Sequence, residues 1–134
     1  AKDFDDAVCL IENENKKTLW IAIADVSHYV LPNTILDDEA KTRATSVYLP
    51  HAVLPMLPSK LSDNLCSLKE KVPRLAMALS IEIENEWTVG NVEAFESLIL
   101  VKENLSYEDV VGNPRFENML TFFSLYFSKI ISLK

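Results

Sequence analysis

The chain has 134 residues, of which 49% are hydrophobic and 25% charged, a balance that fits one globular domain and excludes a disordered or low-complexity segment. Its net charge of −7 argues against a general nucleic-acid binder. The most apolar stretch, Met119 to Leu133, is broken by Thr121, Ser124, Ser128 and Lys129 and is shorter than the roughly 20 residues a bilayer needs, which excludes a transmembrane helix.

In chain order, residues 4–12 read as a strand that turns apolar after an acidic start, and 18–26, with Trp20, Ile21 and Ile23, as a second, well-buried strand. The polar turn 13–17 between them predicts an antiparallel hairpin. Leu36 to Ser46 has helical composition with acids first and bases later, an order that suits the helix dipole. Residues 47–73 are expected to be irregular, because Pro50, Pro55, Pro58 and Pro73 forbid a long regular element.

Residues 74–84 alternate around Leu75, Met77, Leu79, Ile81 and Ile83 as a half-buried strand does; 87–91 reads as a turn and 92–101 as the strand that returns from it. Ser106 and Asp109 are spaced as a capping box for a short helix, and Asn113-Pro114 as the start of a last helix over 114–133. Apolar residues cover nearly the whole circumference of that last helix. The expectation is that the chain is a piece of a longer protein, a reading the start at Ala1 without an initiator Met also favours. No signal peptide is expected, and Cys9 and Cys66 lack zinc-type spacing, so both are expected to be buried, reduced thiols of a cytoplasmic protein.

Charge is unevenly spread. Residues 41–74 hold Lys41, Arg43, Lys60, Lys69, Lys71 and Arg74 against only Asp63 and Glu70, a local +4 inside an acidic chain. Such a stretch is either a track for phosphates or a solvated face. The densest chemistry is Asp3-Phe4-Asp5-Asp6, three carboxylates in four residues. On an extended chain Asp3 and Asp5 share a face, and a turn at Asp6 would add the third. Hard oxygen ligands suit Mg²⁺ or Mn²⁺ rather than zinc, and such ions serve phosphoryl transfer. Two other readings stand beside this one: a solvated acidic terminus, and a dehalogenase-type Asp-x-Asp motif, which is weakened because the apolar strand follows the acids instead of preceding them.

Read together, Ala1 to Val8 and the run Ile21-Ala22-Ile23-Ala24-Asp25-Val26-Ser27-His28-Tyr29-Val30 resemble the opening of the catalytic domain of the ribonuclease II/ribonuclease R (RNB) family. The similarity continues in order through Arg43-Ala44-Thr45-Ser46-Val47-Tyr48-Leu49-Pro50, Leu61-Ser62-Asp63-Asn64-Leu65-Cys66-Ser67-Leu68, Arg74-Leu75-Ala76-Met77 and Leu105-Ser106-Tyr107. The wording at Asp25 to Tyr29 is more like ribonuclease R than ribonuclease II.

The resemblance implies an α+β fold with an antiparallel-rich mixed sheet and flanking helices, residues 1–134 being part of an RNB catalytic domain truncated at both ends. It implies a 3′-to-5′ hydrolytic exoribonuclease that acts on single-stranded RNA with Mg²⁺ (Mn²⁺ possible) and releases nucleoside 5′-monophosphates. By the same resemblance Asp3, Asp5 and Asp6 are three of four metal-handling aspartates, with Asp5 the most sensitive for chemistry. Tyr48 and Tyr107 match tyrosines that contact RNA, and Arg43, in the basic stretch, is read with them as an RNA contact. The parent is expected to be a monomer with cold-shock and S1 domains, binding neither membrane nor DNA. His28 and His51 are expected to be structural. Because one aspartate and a downstream arginine of the family pattern are missing, the alternative is a non-catalytic module that contacts RNA.

Overall fold

The computed structural model describes residues 3–13, 16–84 and 88–132, with side chains described for all of these except 107 and 125–132. Four strands, β1 (Asp6–Asn13), β2 (Lys16–Ala24), β5 (Pro73–Glu84) and β6 (Thr88–Leu100), form one antiparallel sheet in the order β1-β2-β5-β6. The helices are α1 (Ile35–Arg43), the single turn α2 (Tyr107–Val110) and α3 (Glu117–Ser132), the last entered through a 3₁₀ turn at Pro114–Phe116. The α+β expectation therefore holds, and both predicted hairpins are present, although residues 14–15 and 85–87 lie outside the described residues.

Several expected boundaries move. The segment 47–73 is less irregular than its prolines suggested, for it contains a small hairpin of β3 (Val47–Leu49) and β4 (Ala52–Leu54) and a π-helical turn at Leu61–Leu65. Pro55 and Pro58 flank these short pieces, Pro50 sits in the connection between β3 and β4, and Pro73 opens β5. The expected turn at 87–91 is instead largely strand. β6 begins at Thr88, and the pairing shifts between Ile81↔Val92 and Ile83↔Val89, so Gly90 and Asn91 together oppose Glu82 in a bulge. A glycine signal inside a strand marks such a bulge as readily as a turn. Helix α1 stops at Arg43 because Ala44 takes a left-handed conformation (φ 61°), which an alanine seldom advertises.

Strand alternation divides the core between the two faces of the sheet. On one face Ala22, Ala24 and Ala76 form a floor of small side chains, low enough for Leu57, Leu61, Cys66 and Leu68 from the 57–68 segment to pack directly upon it. On the other face Leu19 and Ile83 meet Phe122 of α3, with Leu10, Ile21, Ile81 and Phe123 around them. The helix covers only part of this face, so Ile23, expected to be buried, is 56% exposed beside Asp6, its partner across the ladder. The side chains of Leu125, Tyr126, Phe127, Ile130, Ile131 and Leu133, which carried the expectation of an all-round apolar helix, lie outside the described residues.

Candidate active site

The acidic segment runs into the first strand and is stitched down on both sides. Phe4 packs against the alanine-floored core, its N–H donates to Ser67 Oγ at 3.0 Å, and its carbonyl accepts from the Leu68 N–H at 2.7 Å. One residue on, the Asp5 carbonyl accepts from the Ala24 N–H at 2.9 Å, which extends the β1–β2 ladder past its formal end. Asp3 and Asp5 are thus carried on backbone held by the 67–68 segment and the end of β2. Leu68 is fully buried, so this anchor is rigid.

Asp5 stands next to the packed core, opposite Ala24. Partial burial, reinforced by the charges of Asp3 and Asp6, raises its carboxyl above the usual carboxylate range. Asp6 does not turn back toward it. It enters the strand paired with Ile23, and alternation sets its side chain on the opposite face from that of Asp5. Among the described residues no three His, Cys, Asp or Glu side chains converge closely enough to hold an ion. The donor chemistry nevertheless fits a hard cation: the oxygens are carboxylate, and the charges of Asp3 and Asp6 bear on Asp5. Mg²⁺ keeps several waters and takes one or two carboxylates plus substrate phosphate, so a three-carboxylate cage is not required of the protein.

Tyr48 reaches the same place from the small hairpin. Its hydroxyl donates to Asp3 Oδ2 at 3.4 Å while the side chain stays 68% exposed, leaving its ring accessible beside the acids. Arg43 is not brought to the acids. Its Nε donates to Glu39 at 2.7 Å and its Nη1 to the Pro55 carbonyl at 3.1 Å, so it braces the end of the hairpin against α1. The side chain of Tyr107 lies outside the described residues; its backbone opens α2, capped as expected by Ser106 and Asp109, which exchange hydrogen bonds at 2.8 and 3.2 Å.

The basic stretch 41–74 is largely neutralised locally. Lys41 pairs with Asp37, Arg43 with Glu39 and Lys71 with Glu70, while Arg74 spans the carbonyls of Asn64, Ser67 and Pro73 and Asn64 Oδ1. Lys60 and Lys69 form no ion pair among the described residues. His28 and His51 are both exposed, and His28 sets its ring edge-on to Tyr29 with centroids 5.0 Å apart.

One residue near the acids went unassigned in the sequence reading. Asp25 is 7% exposed and accepts from the Ser27 hydroxyl at 2.6 Å and the His28 N–H at 3.1 Å, capping the 3₁₀ turn Val26–His28. Cys66 is buried near it, as expected, and burial, then the charges of Asp25 and Asp5, push its thiol up, so it is an inert core group; Cys9, expected to be buried as well, is exposed on the edge strand β1. Asp-x-Ser was the available signal for Asp25.

The RNB domain model matches residues 1–112. Ribonuclease R of Mycoplasmopsis pulmonis is 44% identical over 97% of this chain, and that of Chlamydia muridarum 49% identical over 82%. The chain spans only 19% and 16% of the lengths of these two relatives. Among solved structures, Mycoplasma genitalium RNase R in complex with double-stranded RNA superposes with a TM-score of 0.77 at 38% identity, covering 82% of this chain and 20% of that one. Its complex with ribose-methylated single-stranded RNA gives the same TM-score and identity, with 17% of that chain covered.

Proposed function

The chain belongs to the RNB-domain family, and from that premise we propose that it is the acid-bearing front part of the catalytic domain of an exoribonuclease. The substrate in this reading is single-stranded RNA, degraded from its 3′ end by hydrolysis to nucleoside 5′-monophosphates. A cytoplasmic location and a longer, monomeric parent with RNA-gathering domains belong to the same reading.

The observation that carries it is the meeting of Asp3, Asp5 and the exposed Tyr48 ring on a rigidly anchored stretch of backbone. A base stacked on Tyr48 gains about 1–3 kcal/mol with little sequence preference, as a processive enzyme requires. The ring's tie to Asp3 keeps that base within reach of the acids. Asp3 and Asp5 are the residues that would hold Mg²⁺; Asp6, read from the sequence as a third ligand, has its side chain on the other face of the sheet. When bound, the ion supplies an acidified water and counter-charge for the phosphate. Asp5, fixed through its own carbonyl to the Ala24 N–H, orients that end of the site.

The full-length protein with Asp5→Asn tests this reading: RNA hydrolysis is lost and RNA affinity stays within about twofold, since that exchange removes charge rather than a stacking surface. One observation favours the second reading, a non-catalytic RNA-contacting module: no three acidic ligands converge among the described residues. Turnover unchanged by Asp5→Asn would select it.

A further inference from the structure

Arg74 lies on the alanine face of the sheet, one alternate position from Ala76, and none of its described contacts is with an acidic side chain. Its Nε is shared between the carbonyls of Asn64 and Ser67, each at 3.0 Å, and its Nη2 donates to Asn64 Oδ1 at 2.8 Å. Its Nη1 closes on the Pro73 carbonyl at 3.1 Å. A planar guanidinium fixes several acceptors at once, which the single ammonium of a lysine cannot do. What Arg74 fixes is the turn that ends in Ser67 and Leu68. Those two residues are the ones that hold the Phe4 amide and carbonyl, and Phe4 separates Asp3 from Asp5.

The hydrogen bonds therefore form one continuous path, from Arg74 on β5 to Ser67 and Leu68, and from these to the backbone of Phe4 between the two acids. We propose that Arg74 is a positioning residue: through Ser67 and Leu68 it sets the placement of the Asp3 and Asp5 carboxylates, without touching substrate or metal. This rests on the reading of those aspartates as the metal-handling acids. The same turn also holds the other candidate RNA segment. Asn104 donates to the Leu68 carbonyl at 3.0 Å and accepts from the Glu70 N–H at 2.7 Å, three residues before Tyr107.

The test uses the full-length protein as wild type, Arg74→Gln, Arg74→Lys, Ser67→Ala and Asp5→Asn. Three quantities are measured: amide exchange at Phe4 and Leu68, Mn²⁺ affinity without RNA by the loss of free-ion EPR signal, and turnover at saturating RNA. Groups that orient a ligand from behind it typically carry a 10- to 100-fold effect, so Arg74→Gln is expected to lower Mn²⁺ affinity and turnover by about that factor. Exchange at Leu68 and Phe4 accelerates in parallel, and RNA affinity stays within about twofold because no RNA contact is lost. Arg74→Lys restores the defect only in part, and Ser67→Ala shifts the same quantities in the same direction.

Mn²⁺ affinity and turnover unchanged in a folded Arg74→Gln protein would overturn the proposal even if its melting temperature fell, since a purely structural arginine predicts that pattern. Should Arg74→Gln not fold, Ser67→Ala carries the test with the same two outcomes. Wild-type turnover by Asp5→Asn would instead overturn the reading of the acids themselves, and the proposal with it.

Discussion

The Tyr48 hydroxyl lies 3.4 Å from Asp3 Oδ2, although 45 positions separate the two residues in the chain. The contact joins a candidate stacking group on a two-stranded hairpin to a candidate metal ligand at the edge of the main sheet. The hairpin is held by Arg43 on the Pro55 carbonyl and by the Ser46 hydroxyl, which accepts from the Met56 N–H at 3.0 Å.

Tyr48 should therefore divide into two functions. Tyr48→Ala removes the stacking face and is expected to weaken single-stranded RNA binding by roughly tenfold or more and to change the length of the end product, as about 1–3 kcal/mol of stacking requires. Tyr48→Phe keeps the ring and should leave affinity within about twofold, since it gives up only an exposed hydrogen bond. Fluorescence anisotropy with a labelled oligonucleotide, followed by gel analysis of limit products, separates the two variants.

Asp5 should trade stability for function. Its folded pKa lies above the ordinary 3.8, so the folded state holds the proton more tightly than the unfolded chain does. Stability is then favoured at low pH and declines as pH rises from about 3.8 through the folded-state pKa. In metal-free buffer at pH 7, Asp5→Asn is expected to melt slightly higher than wild type, with the difference vanishing once pH falls below 3.8. A variant that melts lower than wild type at pH 7 would contradict this.

Arg43 should act through the hairpin. Replacing it with Gln breaks an exposed ion pair with Glu39, worth no more than about 1 kcal/mol, and loosens the brace on Pro55. The expected result is a few-fold loss of RNA affinity with the slope of log affinity against log salt unchanged. A direct phosphate contact would lower that slope by about 0.7 to 0.9, which a salt titration resolves.

Phe122 fixes α3 to the sheet. It is 2% exposed between Leu19 and Ile83, so Phe122→Ala should cost about 3–5 kcal/mol of stability in urea unfolding. Asp3 and Asp5, the candidate metal ligands, lie on the opposite face of the sheet from Phe122, so Mn²⁺ affinity of the folded variant should be retained.

Much of this architecture was legible in the residues, because the period-two alternation of 74–84 and the apolar runs within 4–12 and 18–26, separated by a polar turn, report strands directly. The capping pairs Ser106/Asp109 and Asn113-Pro114 likewise mark their helices with local side-chain chemistry. What local pattern could not carry was the β3–β4 hairpin, whose three-residue strands are too short for periodicity, and the left-handed stop at Ala44. At the site, the acids were visible as a cluster of one residue type, but Asp6 was expected to turn inward. It goes instead into the ladder opposite Ile23, because the strand's hydrogen bonds begin one residue earlier than a turn would allow. Arg74 and Ser67 were legible only as parts of matched segments. Their roles depend on which backbone groups they reach, and no spacing reveals that.

The most direct test is digestion of a 5′-labelled single-stranded RNA with Mg²⁺ by the full-length protein and by its Asp5→Asn variant. A ladder that shortens from the 3′ end is expected with the wild type and intact RNA with the variant. Equal digestion by both, or internal cuts with no progressive shortening, would contradict it.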